Sequence, residues 1–279
     1  MPIVTLPSGR TVFLVDREQL RFTQHGRTAS IPHHLMAVMR QIPPTPQVIS
    51  WNKNHTVSYP ILGNSTVGDC FYADILHHVI TFLAQKGKTV SFNEAQVIAR
   101  YKVLSGGDNG LDDSTVFPEW KSGVLGPNGP YKILDEMTIK PTDLSTIALC
   151  MWAFCGLGYT ASLLSSWLNN DSPGATWDAG SRPDPSAGHA MHLSSFDQTA
   201  GIFSDETWAL NPPINLTVKG MQASDPEIYT VFSLDMFDAN GIAPCGANYD
   251  QLAALWQQLG GQQLPASPFP PAPPLDWLA

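Results

Sequence analysis

Asn64-Ser65-Thr66-Val67-Gly68-Asp69-Cys70-Phe71-Tyr72-Ala73 is the stretch whose reading decides the fold. Asp69 is a good N-cap type, and behind it Phe71, Ile75, Leu76, Val79, Ile80 and Leu83 recur at three- and four-residue spacing, which predicts a buried helix of about four turns. Cys70 then stands in the first turn, where the partial positive charge of a helix N-terminus favours a thiolate. Acyl transfer needs such a thiolate together with donors aimed at the developing oxyanion, and the Asn64 amide and the Cys70 backbone N–H are the donors at hand. Gly68 leaves room for a substrate backbone to approach. Taken alone, the same thiol fits an inert buried cysteine, a common fate of free thiols. A base elsewhere in the chain decides between the two.

Gly188-His189-Ala190-Met191-His192-Leu193 supplies one, 119 residues after the cysteine, at the start of a β-like run. His189 and His192 differ by three, so in a strand they point to opposite faces and only one reaches Cys70. His189, next to the glycine, is the better placed. His77 and His78 lie two turns along the helix of Cys70, and His25, His33, His34 and His55 fall in the N-terminal region.

Working outward, residues 1–43 read as a short strand or hairpin (Val12 to Val15 after Pro7-Ser8-Gly9) and a helical stretch at Leu35 to Met39, closed by Pro43, Pro44 and Pro46. They fit an N-terminal extension, a removable pro-segment or the first edge of the main domain. Ser91, with Glu94 three residues on, is a capping box leading into a helix over Ala95 to Leu104. Gly106 to Pro141 reads as a long loop with one short helical turn. Leu144 to Leu164 is almost wholly apolar, but Gly156 and Gly158 cut it into a helix (Ser145 to Phe154) and a strand (Leu157 to Leu163). Further strands are expected at Ala190 to Phe196, Glu206 to Leu210, Ile214 to Val218 and Glu227 to Leu234. Helices early and strands late make an α+β chain. A main domain over 44–245, a C-terminal helix within 246–264 and a Pro-rich tail over 265–279 complete the layout; the tail has six prolines between Pro265 and Pro274 and ends in Leu275-Asp276-Trp277-Leu278.

In order and spacing this set of blocks resembles the papain-like cysteine peptidases, from about Val48 to Leu234. Val48-Ile49-Ser50-Trp51 is similar to the family's first strand, and Tyr59-Pro60-Ile61-Leu62-Gly63-Asn64 to its approach to the oxyanion residue. Gly68-Asp69-Cys70-Phe71-Tyr72-Ala73 resembles the Gly-Ser-Cys-Trp-Ala-Phe block, with the oxyanion glutamine falling on Asn64, one methylene shorter. Ser91-Phe92-Asn93-Glu94-Ala95 resembles the Leu-Ser-Glu-Gln-Glu block, and Asp108-Asn109-Gly110 falls where the family has a substrate-binding Asn-Gly-Gly. Gly188-His189-Ala190 matches the catalytic histidine, and Glu206-Thr207-Trp208 takes the place of Asn-Ser-Trp, so that Glu206, or Asp205 in a shifted strand, orients the imidazole. Val67 replaces the family's disulfide cysteine, as suits a reducing compartment. The chain is still more similar to a group of phage and bacterial proteins with a Gly-Asn-x-x-x-Gly-Asp-Cys block.

The resemblance implies a papain-like α+β fold: a helical half carrying Cys70, an antiparallel β-sheet half carrying His189, and a cleft between them. It implies a cysteine peptidase-like hydrolase with Cys70, His189, Asn64 and Glu206 catalytic and Gly68, Asn109, Gly110 and Trp208 binding substrate, acting on a polypeptide or partner protein. The rival is an inactive papain-like scaffold serving as a structural or binding module in a phage or bacterial assembly. Composition narrows the partners. A net charge of −9, with 15 Lys plus Arg against 24 Asp plus Glu and no basic run, argues against nucleic acid. No stretch reaches the ~18 uninterrupted apolar residues of a membrane helix, and Met1 to Arg10 lacks the order of a signal peptide. A soluble chain of the cytoplasm or a phage particle is the expectation. Cys70, Cys150, Cys155 and Cys245 match no paired zinc-ligand spacing, and Asp108, Asp112 and Asp113 do not fit a calcium loop, so no metal or cofactor is expected.

Overall fold

A computed structural model of the chain describes residues 3–22, 27–31, 42–52, 56–124, 126 and 129–270. The predicted helix at Leu35 to Met39 and the closing Leu275 to Leu278 lie outside them. An antiparallel hairpin of β1 (Ile3–Thr5) and β2 (Thr11–Phe13) comes first, then a 3-10 turn, Arg17–Leu20. β3 (Thr28–Ala29) and β4 (Val48–Ser50) lead to the helices α1 (Cys70–Gln85), α2 (Glu94–Leu104) and α3 (Asp113–Ser122). After them come β5 (Ile133–Ile139), α4 (Leu144–Phe154), β6 (Leu157–Leu164), α5 (Ser165–Leu168), β7 (Thr176–Trp177), β8 (Pro183–Asp197), β9 (Ile202–Glu206), β10 (Ile214–Thr217), α6 (Val218–Ala223), β11 (Glu227–Ser233) and α7 (Tyr249–Gln258).

The sheet runs β3-β5-β11-β6-β8-β9-β10-β7, with β4 continuing the β6 side of β8 beyond Leu193. Every pairing is antiparallel except the short β3–β5 and β10–β7 edges, so the α+β arrangement with a helical half and a mainly antiparallel half is the one observed. β8 is the spine: it pairs with β6, β9 and β4, and α1 packs on it. α1 explains its own position, because Cys70 to Leu83 are all buried, as in a helix surrounded by core on every side. Its sequence nonetheless places Asp74, His77, His78 and Thr81 in that interior.

The turn after α4 forms where glycine predicts it: Cys155 takes a left-handed φ of 62° and Gly156 a φ of 114°, and β6 begins at once. Three expectations need correction. The cap of α2 is Asn93, whose side chain accepts from the Gln96 N–H at 3.1 Å, not Ser91. The expected loop 106–141 holds ten-residue α3, capped by Asp112, and seven-residue β5. β5 alternates buried and half-buried positions, but its acidic Asp135 and Glu136 hide that pattern; Arg27 and Lys121 answer them with ion pairs. The strand read at Glu206 to Leu210 ends at Glu206, because Trp208 and Ala209 take positive φ values of 49° and 55°, which strand geometry excludes. No helix among the described residues is long and apolar enough to cross a membrane.

Candidate active site

Cys70 is the first residue of α1 and His189 sits near the middle of β8, and the two line one cavity with Asn64, Ile61, His77, Glu206, Thr207 and Trp208. Its volume is about 10 Å³, roughly one water site. The backbone N–H groups of Ala190, the residue after His189, and of Phe71 lie near the Cys70 sulfur and favour its charged form. His189 Nε2 lies 2.8 Å from Thr207 Oγ1, its Nδ1 has no hydrogen-bond partner, and the Trp208 ring lies over it at a centroid distance of 5.0 Å.

Both groups are 2% exposed, and burial sets their protonation. It pushes the Cys70 thiol up to about 12, with the nearby Asp69 and Asp74 adding to the rise, and it pulls His189 down to about 3. The helix N-terminus was expected to stabilise a thiolate; here desolvation outweighs it, and the pair stands as neutral thiol and neutral imidazole. Asp69 holds the N-cap position without a side-chain capping bond, and burial raises its carboxyl well above the usual range.

The expected orienting acid is corrected by the geometry. Glu206 accepts from Asn52 Nδ2 at 2.7 Å and Ser194 Oγ at 2.5 Å, and Asp205 makes no hydrogen bond, so neither carboxylate holds His189; Thr207 does. A one-residue step along a strand end reverses the face on which a side chain lies, which is why register alone selected the wrong neighbour. Asn64 is also committed: its Nδ2 donates to Phe13 O at 3.2 Å and Val67 O at 3.4 Å. Trp208 is where it was expected, beside the imidazole. Gly68 lies immediately before the site, its N–H donating to Asp108 at 2.9 Å, and the Tyr101 hydroxyl donates to the same carboxylate at 2.7 Å. Asn109 and Gly110 do not line the cavity. Asn109 turns back onto Ser105 O, and Gly110 is buried against Gln19 and Val15.

Those last two residues belong to the N-terminal segment, which bridges Asn64 and Gly188, two residues that flank the cavity. Phe13 N–H donates to Asn64 O at 3.1 Å; Val15 N–H donates to Gly188 O at 3.1 Å and Gly188 N–H returns to Val15 O at 2.6 Å. Val12, Leu14, Val15 and Leu20 are fully buried. Arg17, equally buried, bonds through Nη2 to Glu227 at 2.8 Å and to the Asp225 carbonyl at 2.9 Å. Sequence reasoning missed Thr207, whose residue type carries no signal, and the crossing segment. It also passed over the buried Asp74 and His78, whose signal was an acid and an imidazole four residues apart on an apolar helix.

No protein-family model matches the chain, and no curated protein matches it in sequence. Solved structures do. Xylellain, a cysteine protease from Xylella fastidiosa, superposes with a TM-score of 0.59 at 12% identity over 77% of this chain and 94% of its own. A digestive procathepsin L 3 from the larval midgut of Tenebrio molitor gives 0.53 at 11% identity, over 78% and 77%. A structure from the work on the mite allergens Blo t 1 and Der p 1 gives 0.53 at 10% identity, over 78% and 76%. At these identities the likeness is one of fold.

Proposed function

Because the chain has the papain-like cysteine-peptidase fold, we propose that it is a latent cysteine peptidase-like hydrolase, with Cys70 as nucleophile, His189 as base and a polypeptide as substrate. The observation that carries this reading is the shared cavity: a thiol at a helix start and an imidazole whose far nitrogen is held by Thr207. With its proton on Nε2 and shared with Thr207, His189 has its Nδ1 lone pair free to take the Cys70 proton. The sulfur then bonds to the substrate carbonyl carbon, and the π pair moves onto oxygen beside the Cys70 N–H. The Nδ1 proton passes to the leaving amine as the C–N bond breaks, and water cleaves the thioester by the reverse relay.

Latency comes from the N-terminal segment, in the role left open for residues 1–43. Phe13 and Val15 join Asn64 on one wall to Gly188 on the other, in the manner of an extended substrate, and the Phe13 carbonyl takes the Asn64 amide that an oxyanion would need. Withdrawal of the segment frees that N–H and rehydrates Cys70 and His189, which relaxes both shifts. The test is labelling of the full-length protein with a thiol-directed peptidase inhibitor, locating the adduct by peptide mass mapping. Slow labelling at Cys70 that accelerates in Val15→Pro, which loses the donor to Gly188, supports latency. Adducts confined to Cys150 or Cys155 overturn the assignment. The full burial of Val12, Leu14, Val15 and Leu20 favours the rival, a scaffold in which the segment is a permanent part of the core; Cys70 inert in both wild type and Val15→Pro is its signature.

A further inference from the structure

We propose that the chain holds a divalent transition metal, zinc by its ligand set, between Asp74 and His78 of α1 and His192 of β8. The site borders the Cys70–His189 cavity, which Asp74 also lines, but uses none of the groups to which the proposed function is assigned. Asp74, His78 and His192 are fully buried, and one donor atom from each lies within 4.8 Å of the others. His78 Nε2 is 3.8 Å and His192 Nδ1 is 4.0 Å from Asp74 Oδ1. None of these three atoms has a hydrogen-bond partner.

The surroundings fix what each atom offers. Thr81 Oγ1 donates its only proton to the His77 carbonyl at 3.0 Å, so it accepts from Tyr59 at 2.9 Å and from His192 Nε2 at 2.8 Å. His192 therefore carries its proton on Nε2 and turns a lone pair, Nδ1, towards Asp74. The other oxygen of Asp74 accepts from the Tyr229 hydroxyl at 2.7 Å. An imidazole anchored through its second nitrogen and a carboxylate anchored through its second oxygen are the outer supports that metal ligands need. Room for the His192 and Tyr229 rings is built into the turn before β6 and its second residue: a Cβ at Gly156 would lie 2.7 Å from the His192 ring, and one at Gly158 would collide with the Tyr229 ring.

A proton cannot do the work of the cation. A proton on Asp74 Oδ1 would have to bridge 3.8 Å to His78 Nε2 or 4.0 Å to His192 Nδ1, both outside hydrogen-bond range. Two imidazoles and one carboxylate match zinc, whereas calcium and magnesium take oxygen shells. Zinc bonds of ~2.0–2.1 Å place tetrahedral ligands ~3.4 Å apart, so each imidazole closes on Asp74 by about half an ångström, and the two imidazoles, whose donor atoms lie within 4.8 Å, by no more than about 1.4 Å.

The experiment strips the full-length protein with a strong chelator, reloads it with Zn²⁺ or Co²⁺, desalts it, and measures metal content, Tm and the Co²⁺ spectrum. The expected result is about one equivalent of zinc and a higher Tm than the stripped protein. The Co²⁺ form should show visible d–d bands without a thiolate charge-transfer band. Cys70→Ser should leave all three unchanged, and Asp74→Asn and His192→Ala should each weaken binding by ~10-fold or more. Less than a tenth of an equivalent in the wild type, or a thiolate band that Cys70→Ser removes, overturns the proposal. Should both ligand variants fail to fold, wild-type stoichiometry and spectrum still decide.

Discussion

Val15 and Gly188 exchange both of their backbone hydrogen bonds, at 3.1 and 2.6 Å, so the N-terminal segment is stitched to the residue immediately before His189. Glycine is required there, because a Cβ on Gly188 would lie 2.7 Å from Val15 O and 3.0 Å from both the nitrogen and the Cα of Arg17. Gly188→Ala should therefore push the segment off β8 and raise the rate of Cys70 alkylation by ~10-fold or more, about the effect of 1.4 kcal/mol. Mass-mapped alkylation with iodoacetamide checks this; an unchanged rate means the segment does not limit access.

Thr207 and Glu206 are adjacent and should separate cleanly under mutation. Thr207→Val keeps the shape but removes the oxygen that holds His189 Nε2, so labelling by a peptidase-directed probe in a Val15→Pro background should fall ~10- to 100-fold, with about 1 kcal/mol of stability lost for the one buried N–H left unpaired. Glu206→Ala removes the acceptor of Asn52 and Ser194 and should cost ~2 kcal/mol of stability through the two buried donors left behind. Chemical denaturation and probe kinetics on both variants give the comparison.

The protonation of Cys70 predicts a pH profile. With the thiol pushed up to about 12 and His189 down to about 3, the closed protein holds no thiolate–imidazolium pair at neutral pH. Alkylation of Cys70 should rise about tenfold per pH unit from pH 6 to 10, tracking the thiolate fraction. A plateau beginning below pH 7 would instead report an ion pair in the closed state.

His189 also makes the fold sensitive to acid. Its folded value, about 3, lies below the ordinary 6.5, so the stability its neutrality permits is complete above pH 6.5 and is lost as pH falls towards 3, where the unfolded chain binds the extra proton. His189→Gln should remove that slope. The stability difference between variant and wild type should shift in the variant's favour by ~1.4 kcal/mol per pH unit between pH 6 and 4 in urea melts.

Much of this arrangement was legible in the chain itself. The spacing behind Asp69 placed α1, glycine at 156 placed the break between α4 and β6, and the blocks around Cys70 and His189 placed those two residues on elements that meet at one cavity. β5 was hidden because a strand paired on both sides and flanked by cations can carry Asp135 and Glu136, which no local pattern announces. Thr207 was hidden because the choice between neighbouring residues depends on where β9 ends and the left-handed turn at Trp208 begins. His189 and His192, three apart, were expected on opposite faces of a strand, with only one reaching Cys70. Instead both imidazoles of β8 meet α1, His189 beside Cys70 in the shared cavity and His192 at Thr81.

The crossing segment has a consequence for measurement. On the latency proposed above, the segment, being part of the same chain, faces the cavity at an effective concentration of order millimolar, and any peptide added in trans competes with it on those terms. A ligand that would bind the open cleft at ~1 μM is weakened by the ratio of that concentration to the segment's own dissociation constant. Substrate or inhibitor screens on the intact protein would thus score true ligands as inactive, whereas the same screens on Val15→Pro or Gly188→Ala would recover them.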